Sequence, residues 1–411
     1  DNTNLKKSKF LARAAALSAA FFASVCGLGS AYVWQHTPER LSVTEDSGIE
    51  VPFTGIQARY TGQEEQSVFG EKGATTQVEY SFLGIVPVKT VTAEKQEQPM
   101  VETGGEPFGM RMLTSGVTVV EISEVMSGGA VCRPGEEAGL QAGDVIEKVN
   151  GETLEGSDDF ITRIQQSAGA PVTLTFDRGG EMKETTLSAV CSDSDGKWRC
   201  GLWVRDSTAG IGTVTFVDEE SGLFAGLGHG VCSSETGELL PLSKGDVLRV
   251  TISGVIPGAV GAAGELRGYF SDDTACGELL KNTQTGMYGR LTGSLGDGET
   301  RPIAMRQQVH EGPATILVTT EGDTPKEYGI EIISVNYDES QRTRNLRLRV
   351  TDPELLEETG GIVQGFSGSP ILQDGYLAGA VTHVLVNSPQ EGYGIFAETM
   401  WEECEQLKKA G

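Results

Sequence analysis

The chain reads as mainly β, built from several units behind one apolar N-terminal segment. Glycine numbers 55 among 411 residues while aromatics supply only 7%, about twice the usual glycine share. Short apolar runs recur along the chain, separated by glycine, asparagine and aspartate, which is the punctuation of strands and tight turns. The length exceeds one ordinary core and calls for two or three domains. The net charge of −26 repels a phosphate backbone, which argues against nucleic-acid binding.

Residues 1–34 begin with Lys6, Lys7, Lys9 and Arg13 and continue into an alanine-rich apolar run. Residues 14–34 are just long enough to cross a bilayer, which takes about 20 apolar residues. Flanking positive charge keeps the tail in the cytoplasm and sends the remainder across the membrane. A cleaved signal peptide and a retained anchor compete here, and either exports the rest. Residues 35–104 are polar and uneven, with linker-like stretches at 63–66 and 93–98. They read as a stalk with minor β structure around Tyr80-Ser81-Phe82-Leu83-Gly84-Ile85-Val86-Pro87-Val88.

Residues 105–190 read as one compact unit. Phe108-Gly109-Met110 precedes a strand at 117–122, and Gly143-Asp144-Val145-Ile146 leads to Val149-Asn150-Gly151. A short helix at 157–166 carries Phe160, Ile161 and Ile164, and a hairpin at 172–187 turns at Arg178-Gly179-Gly180. The string and the order of elements resemble PDZ domains. That resemblance implies a loop, here Phe108-Gly109-Met110, whose N–H groups take a peptide carboxylate while the peptide adds as a strand beside the helix. Residues 191–411 are a glycine-punctuated β region with strands expected at 211–217, 222–227, 247–252, 315–319, 328–335, 345–350, 371–372 and 377–383. A helix at 397–409 closes the chain. Two six-stranded barrels with a site between them fit this length.

The stretch Gly365-Phe366-Ser367-Gly368-Ser369-Pro370 reads as a serine nucleophile on a tight turn. Its glycines let the backbone bend sharply, so the N–H groups of Gly365 and Ser367 can aim at one oxyanion. Serine needs a base beside it. Among four histidines, His229 lies in a second glycine turn, Ala225-Gly226-Leu227-Gly228-His229-Gly230, and is the candidate base. His383 follows the serine turn and lines the cleft in this reading, with the base role as its alternative. His310 sits in a polar loop and His36 behind the apolar segment. Asp352 is the candidate to orient the imidazole, with Asp246, Asp272, Asp273 and Asp323 as alternatives. A capping role competes for Asp352, because Thr351, Pro353 and Glu354 make a helix start. Seven cysteines show no C-x-x-C pair and no His/Cys cluster, so no metal site is expected. Cys191 and Cys200 are close enough to bridge.

Basic tail, export segment, PDZ-like unit, Leu227-Gly228-His229-Gly230, Gly365 to Pro370 and Gly379-Ala380-Val381-Thr382-His383 together resemble the stage IV sporulation protein B peptidases of endospore formers. Phe82 to Lys89 adds to the likeness. The resemblance implies a PDZ domain followed by a chymotrypsin-like double β-barrel and a cofactor-free serine endopeptidase. Its catalytic residues would be Ser367, His229 and Asp352. It implies export into the space between forespore and mother-cell membranes. There the enzyme would cleave itself and then a membrane-bound inhibitory subunit of an intramembrane protease, which processes a sporulation sigma factor. The competing expectation is a membrane-tethered PDZ adaptor with an inactive barrel.

Overall fold

The computed structural model describes residues 2–61, 73–233, 237–293 and 298–410. Helix α1 (Asn2–Gln35) contains a stretch, Ala15–Gln35, long and apolar enough to cross a membrane. Leu17, Phe21, Phe22 and Leu28 stand exposed on it, and Val33 near its end is fully covered.

What covers Val33 is a small domain where a stalk was expected. Strands β1 (Arg40–Val43), β2 (Ile56–Tyr60), β3 (Thr75–Phe82) and β4 (Val86–Lys95) form one sheet in the order β1-β4-β3-β2. Val78 and Tyr80 of β3 and Val91 and Ala93 of β4 point inward with Leu41, Val43 and Ile56. This two-residue period is what a sheet with one covered face requires. The Tyr80 hydroxyl donates to the Ile49 carbonyl at 3.0 Å, which anchors the connection between β1 and β2. Of the two expected linkers, 63–66 lies outside the described residues, and 93–98 begins as the buried end of β4.

After β5 (Met100–Thr103) comes β6 (Pro107–Ile122), a strand that two units share. Its C-terminal part pairs with Val145–Val149, which continues to Val172–Arg178 and Glu181–Leu187. Helix Ser157–Ser167 buries Phe160 and Ile164 against this sheet, among Val117, Ile146, Leu174 and Phe176. Asp144, 1% exposed, accepts two hydrogen bonds from the Arg178 guanidinium at 2.6 and 2.7 Å. That buried pair ties the Gly143-Asp144 turn to the hairpin. Strand Leu202–Asp218 then runs antiparallel to β6 along nearly its whole length.

Two closed barrels follow. The first runs β6, Lys244–Ile256, Glu265–Thr283, Gly286–Leu291, Leu223–Gly226, Leu202–Asp218 and back to β6. The second is Gly312–Val318, Lys326–Val335, Leu346–Val350, Glu391–Phe396, Tyr376–Val384 and Pro370–Gln373. Both have six strands, as expected. Phe216, Ala225 and Tyr288 of the first barrel share a core with Leu377, Ala380 and Ile395 of the second. Helix Ala397–Ala410 covers that seam with Met400 and Cys404.

Two expectations need correcting. Phe108, Gly109 and Met110 are not a carboxylate-binding loop: they lie inside β6, with Gly109 opposite Ile211 on one side and Leu248 on the other. Phe108 and Met110 are buried, and the backbone faces a strand on both edges, so no peptide edge remains there. Cys191 and Cys200 do not bridge. Cys191 stands opposite Trp198 in a short ladder, which leaves Cys200 beyond the turn and buried in the core.

Candidate active site

The serine turn is held where the two barrels meet. Gly365 and Gly368 have φ of +101° and +96°, a region that side chains strain to enter. At Gly368 a Cβ would also collide with the Thr213 carbonyl and the Leu227 N–H, so the close approach itself demands glycine. Phe366 is fully buried in the second barrel's core, anchoring the turn from below. The first barrel clamps it from above through one strand, Leu202–Asp218. Thr213 donates its N–H to the Ser367 carbonyl at 3.0 Å and its hydroxyl to the Gly365 carbonyl at 2.8 Å. The fully buried Thr215 donates its hydroxyl to the Gly368 carbonyl at 2.7 Å.

The histidine turn comes from the first barrel, just after Leu223–Gly226. Leu227 and Gly228 both take positive φ, +66° and +67°, which swings residue 229 across the seam. His229 Nε2 lies 2.9 Å from Ser367 Oγ, although 138 positions separate them. His229 Nδ1 lies 2.9 Å from the Gly230 carbonyl. A carbonyl can only accept, so Nδ1 carries the proton and Nε2 offers its lone pair to the serine hydroxyl. Burial lowers the His229 pKa below its ordinary 6.5, with the Gly230 contact opposing, so the ring is neutral at pH 7. The hydroxyl has a second acceptor, the Thr382 carbonyl at 2.9 Å.

Among the described residues, the N–H groups of Gly365 and Ser367 meet no acceptor, whereas those of Phe366, Gly368 and Ser369 bond within the fold. Two free donors therefore flank the hydroxyl. The site opens into a cleft of about 800 Å³ whose lining includes His229, Leu239, Thr285, Arg342 and His383. The His383 ring lies against His229, centroids 4.8 Å apart and planes at 34°. Burial, and then the nearby His229 and Arg344, push its pKa down to about 4. Its Nδ1 is buried without a hydrogen-bond partner.

Asp352 is elsewhere. Its carboxylate accepts from the N–H groups of Glu354 at 3.0 Å, Leu355 at 3.2 Å and Gly329 at 3.3 Å. It caps the helix Pro353–Thr359; desolvation pushes its pKa up, but these backbone bonds and the nearby Lys326 together bring it below the ordinary carboxylate value. Both ring nitrogens of His229 are already engaged, so the orienting contact expected of Asp352 is made by the Gly230 carbonyl. Of the alternatives, Asp246 pairs with Arg111 at 2.7 Å, and Asp272 accepts from the Thr274 N–H. His310 bonds Asp374 at 2.7 Å near the surface, and His36 packs against Tyr32 and Phe53. The threonine clamp was missed in the sequence, because Thr213 and Thr215 look like ordinary strand residues and their partners lie about 150 positions away. Among the described residues, no cluster of His, Cys, Asp or Glu could hold a metal.

A second feature lies on the same strand. Over 202–206 one edge pairs with β6, and among the described residues no strand pairs with the other. Helix Ser157–Ser167 stands beside that edge. Asp206 accepts from the Ser157 N–H and hydroxyl at 2.7 and 2.9 Å, and Gln165 bonds the backbone of Trp198. Just before the edge, Gly201 has φ +67°, within a second apolar-glycine-apolar triplet, Cys200-Gly201-Leu202.

Comparison with known proteins bears on both features. A PDZ domain model matches residues 122–178. The chain is 38% identical over 56 residues to a probable CtpA-like serine protease of Staphylococcus saprophyticus, covering 13% of this chain and 11% of that protein. It is 41% identical over 59 residues to the zinc metalloprotease RasP of Shouchella clausii, 14% of each. It is 28% identical over 106 residues to a putative zinc metalloprotease of Vibrio cholerae, 26% of this chain and 22% of that protein. The chain thus spans less than a quarter of the length of these curated relatives. The PDZ domain of an SdrC-like protein from Listeria monocytogenes aligns with 22% of this chain and 87% of its own, at 23% identity and a TM-score of 0.19. The model of the SpoIVB peptidase S55 family matches residues 196–401, half of the chain and both the histidine and serine turns, and the chain belongs to that family.

Proposed function

We propose that the chain is a serine endopeptidase working through a Ser367–His229 dyad. The carrying observation is the 2.9 Å contact between His229 Nε2 and Ser367 Oγ across the barrel seam. In this mechanism Ser367 Oγ attacks the scissile carbonyl as its proton passes to His229 Nε2. The N–H groups of Gly365 and Ser367 hold the tetrahedral oxyanion, each donor worth roughly 10²–10³ in rate. The imidazolium then gives its proton to the leaving amine, which breaks the C–N bond and leaves an acyl-enzyme. Water, deprotonated by the same imidazole, attacks the ester and frees Ser367. A positioned base contributes roughly 10²–10⁴, and the Gly230 carbonyl keeps the ring in the tautomer that can serve as one. No cofactor takes part in these steps.

The family points to the substrates: the enzyme's own chain, and a membrane-bound inhibitory subunit whose removal frees an intramembrane protease to process a sporulation sigma factor. Helix α1 would hold the enzyme at the membrane, facing the space between forespore and mother cell. A ligand peptide would add to the 202–206 edge beside helix Ser157–Ser167, its carboxylate at the N–H groups around Gly201. The test is self-cleavage and peptide hydrolysis by the purified full chain. Wild type should cleave, while Ser367→Ala and His229→Ala, folded to the same melting temperature, should not. Undiminished cleavage by either variant would overturn the dyad.

A further inference from the structure

We propose that the β3–β4 hairpin tip, Leu83-Gly84-Ile85, dips into the lipid bilayer beside α1, giving the enzyme a second attachment to the membrane. The proposal rests on the reading of α1 as a retained anchor, and on two contacts that fix how the hairpin lies along it. Lys89 of β4 sits over the Trp34 ring at 5.0 Å and donates to the Thr37 carbonyl at 3.2 Å. Further toward the tip, Phe82 of β3 packs so tightly on Gly29 that a Cβ there would strike its ring. From Trp34 back to Gly29 the helix rises about 7.5 Å. From Lys89 to Val86, the partner of Phe82, the strand covers about 10 Å. The two elements run side by side, with the tip pointing toward the helix's N-terminal half.

That half is the spanning segment. The apolar stretch ends at Gln35, so Gly29 lies about 9 Å inside it for a helix near the membrane normal. Leu83 and Ile85 extend from that depth, and they are 55% and 76% exposed. An exposed isoleucine on a hairpin is unfavourable in water relative to a buried one; at this depth it meets acyl chains instead. The ring of groups above fits the interface. Trp34 is 59% exposed, and tryptophan favours the headgroup level. The ammonium of Lys89 sits at the same height; the Arg59 guanidinium lies at the tip itself, against Gly84, and on insertion turns back toward the headgroups. Two attachment points would fix the orientation of the small sheet, and through it the height of the cleft over the bilayer.

The full chain, reconstituted in phosphatidylcholine/phosphatidylglycerol vesicles doped with a diazirine-acyl phosphatidylcholine, is photolysed and its adducts mapped by mass spectrometry. Adducts are expected on the peptide carrying Leu83 and Ile85 and on α1 near Leu28, but not at Val260, which is 79% exposed on the first-barrel loop between Ile256 and Glu265. In the double variant Leu83→Asn, Ile85→Asp the hairpin adduct should fall at least fivefold while the α1 adduct persists. Labelled α1 with an unlabelled hairpin overturns the proposal and leaves the anchor reading intact. Absence of label from both means that α1 itself is not embedded. Equal labelling of Val260 and the hairpin, or a hairpin adduct undiminished in the double variant, would also overturn it.

Discussion

Replacing Thr215 by valine probes how the first barrel positions Ser367. Thr215 is fully buried, and its hydroxyl donates to the Gly368 carbonyl at 2.7 Å. Valine preserves the shape and removes the donor, leaving a buried carbonyl unpaired. That loss costs about 1–3 kcal/mol. Part of the cost is avoided if the serine turn shifts to find another donor, and the same shift moves Ser367 away from His229. A displacement near 1 Å costs about 10² in rate, so kcat/KM is expected to fall roughly 10–100-fold. Thr215→Ser, which retains the hydroxyl, should recover most of both losses. Urea melts report the stability and hydrolysis of a peptide substrate reports kcat/KM. If Thr215→Val matched wild type in both, the clamp would have no part in holding the turn.

Other residues make separable predictions. The His383 pKa of about 4 lies below that of a free imidazole, so the unfolded chain binds the proton first. Stability is therefore lost as pH falls from about 6.5 toward 4, by at most about 3 kcal/mol from this group before solvent screening. His383→Phe should flatten that part of the pH dependence in urea melts at pH 7 and 4.5, and an unchanged slope would contradict the assignment. The lowered His229 pKa places the acid limb of kcat/KM below 6.5, so a midpoint above 6.5 would argue against a buried, neutral base. Asp352→Ala should cost about 0.5–2 kcal/mol as a lost cap and leave kcat/KM within threefold; a hundredfold loss would restore the aspartate to the triad. Arg306, 4% exposed, bonds Glu398 at 2.8 Å and Glu402 at 2.9 Å. Arg306→Met strands the buried Glu398 charge and should destabilise by about 3–5 kcal/mol, read as a lower urea midpoint.

Features set by neighbours in the sequence were readable from it. The serine turn, the histidine turn and the helices at 157–167 and 397–410 all declare themselves through glycine or a 3.6-residue period. Their meeting was readable only as an expectation, since a contact between positions 229 and 367 leaves no local trace. Asp352 shows two local signals in competition: Thr351-Asp352-Pro353-Glu354 is a helix start, and the structure uses it as one. Phe108-Gly109-Met110 misled because a three-residue pattern recurs, and here the copy at Cys200-Gly201-Leu202 borders the open edge. The long strands β6 and Leu202–Asp218 each serve two units, so a division at 104/105 and 190/191 separates residues that the sheet joins. The sheet domain behind α1 read as a stalk because its inward positions alternate with threonine, glutamate and lysine, which dilutes its apolar character.

The sharpest measurement is the site of covalent attack by a fluorophosphonate on the folded full chain. Mass mapping should place one phosphonyl group on Ser367, and His229→Ala should abolish the labelling. A group on Ser369, or labelling of Ser367 that survives the loss of His229, would contradict the dyad.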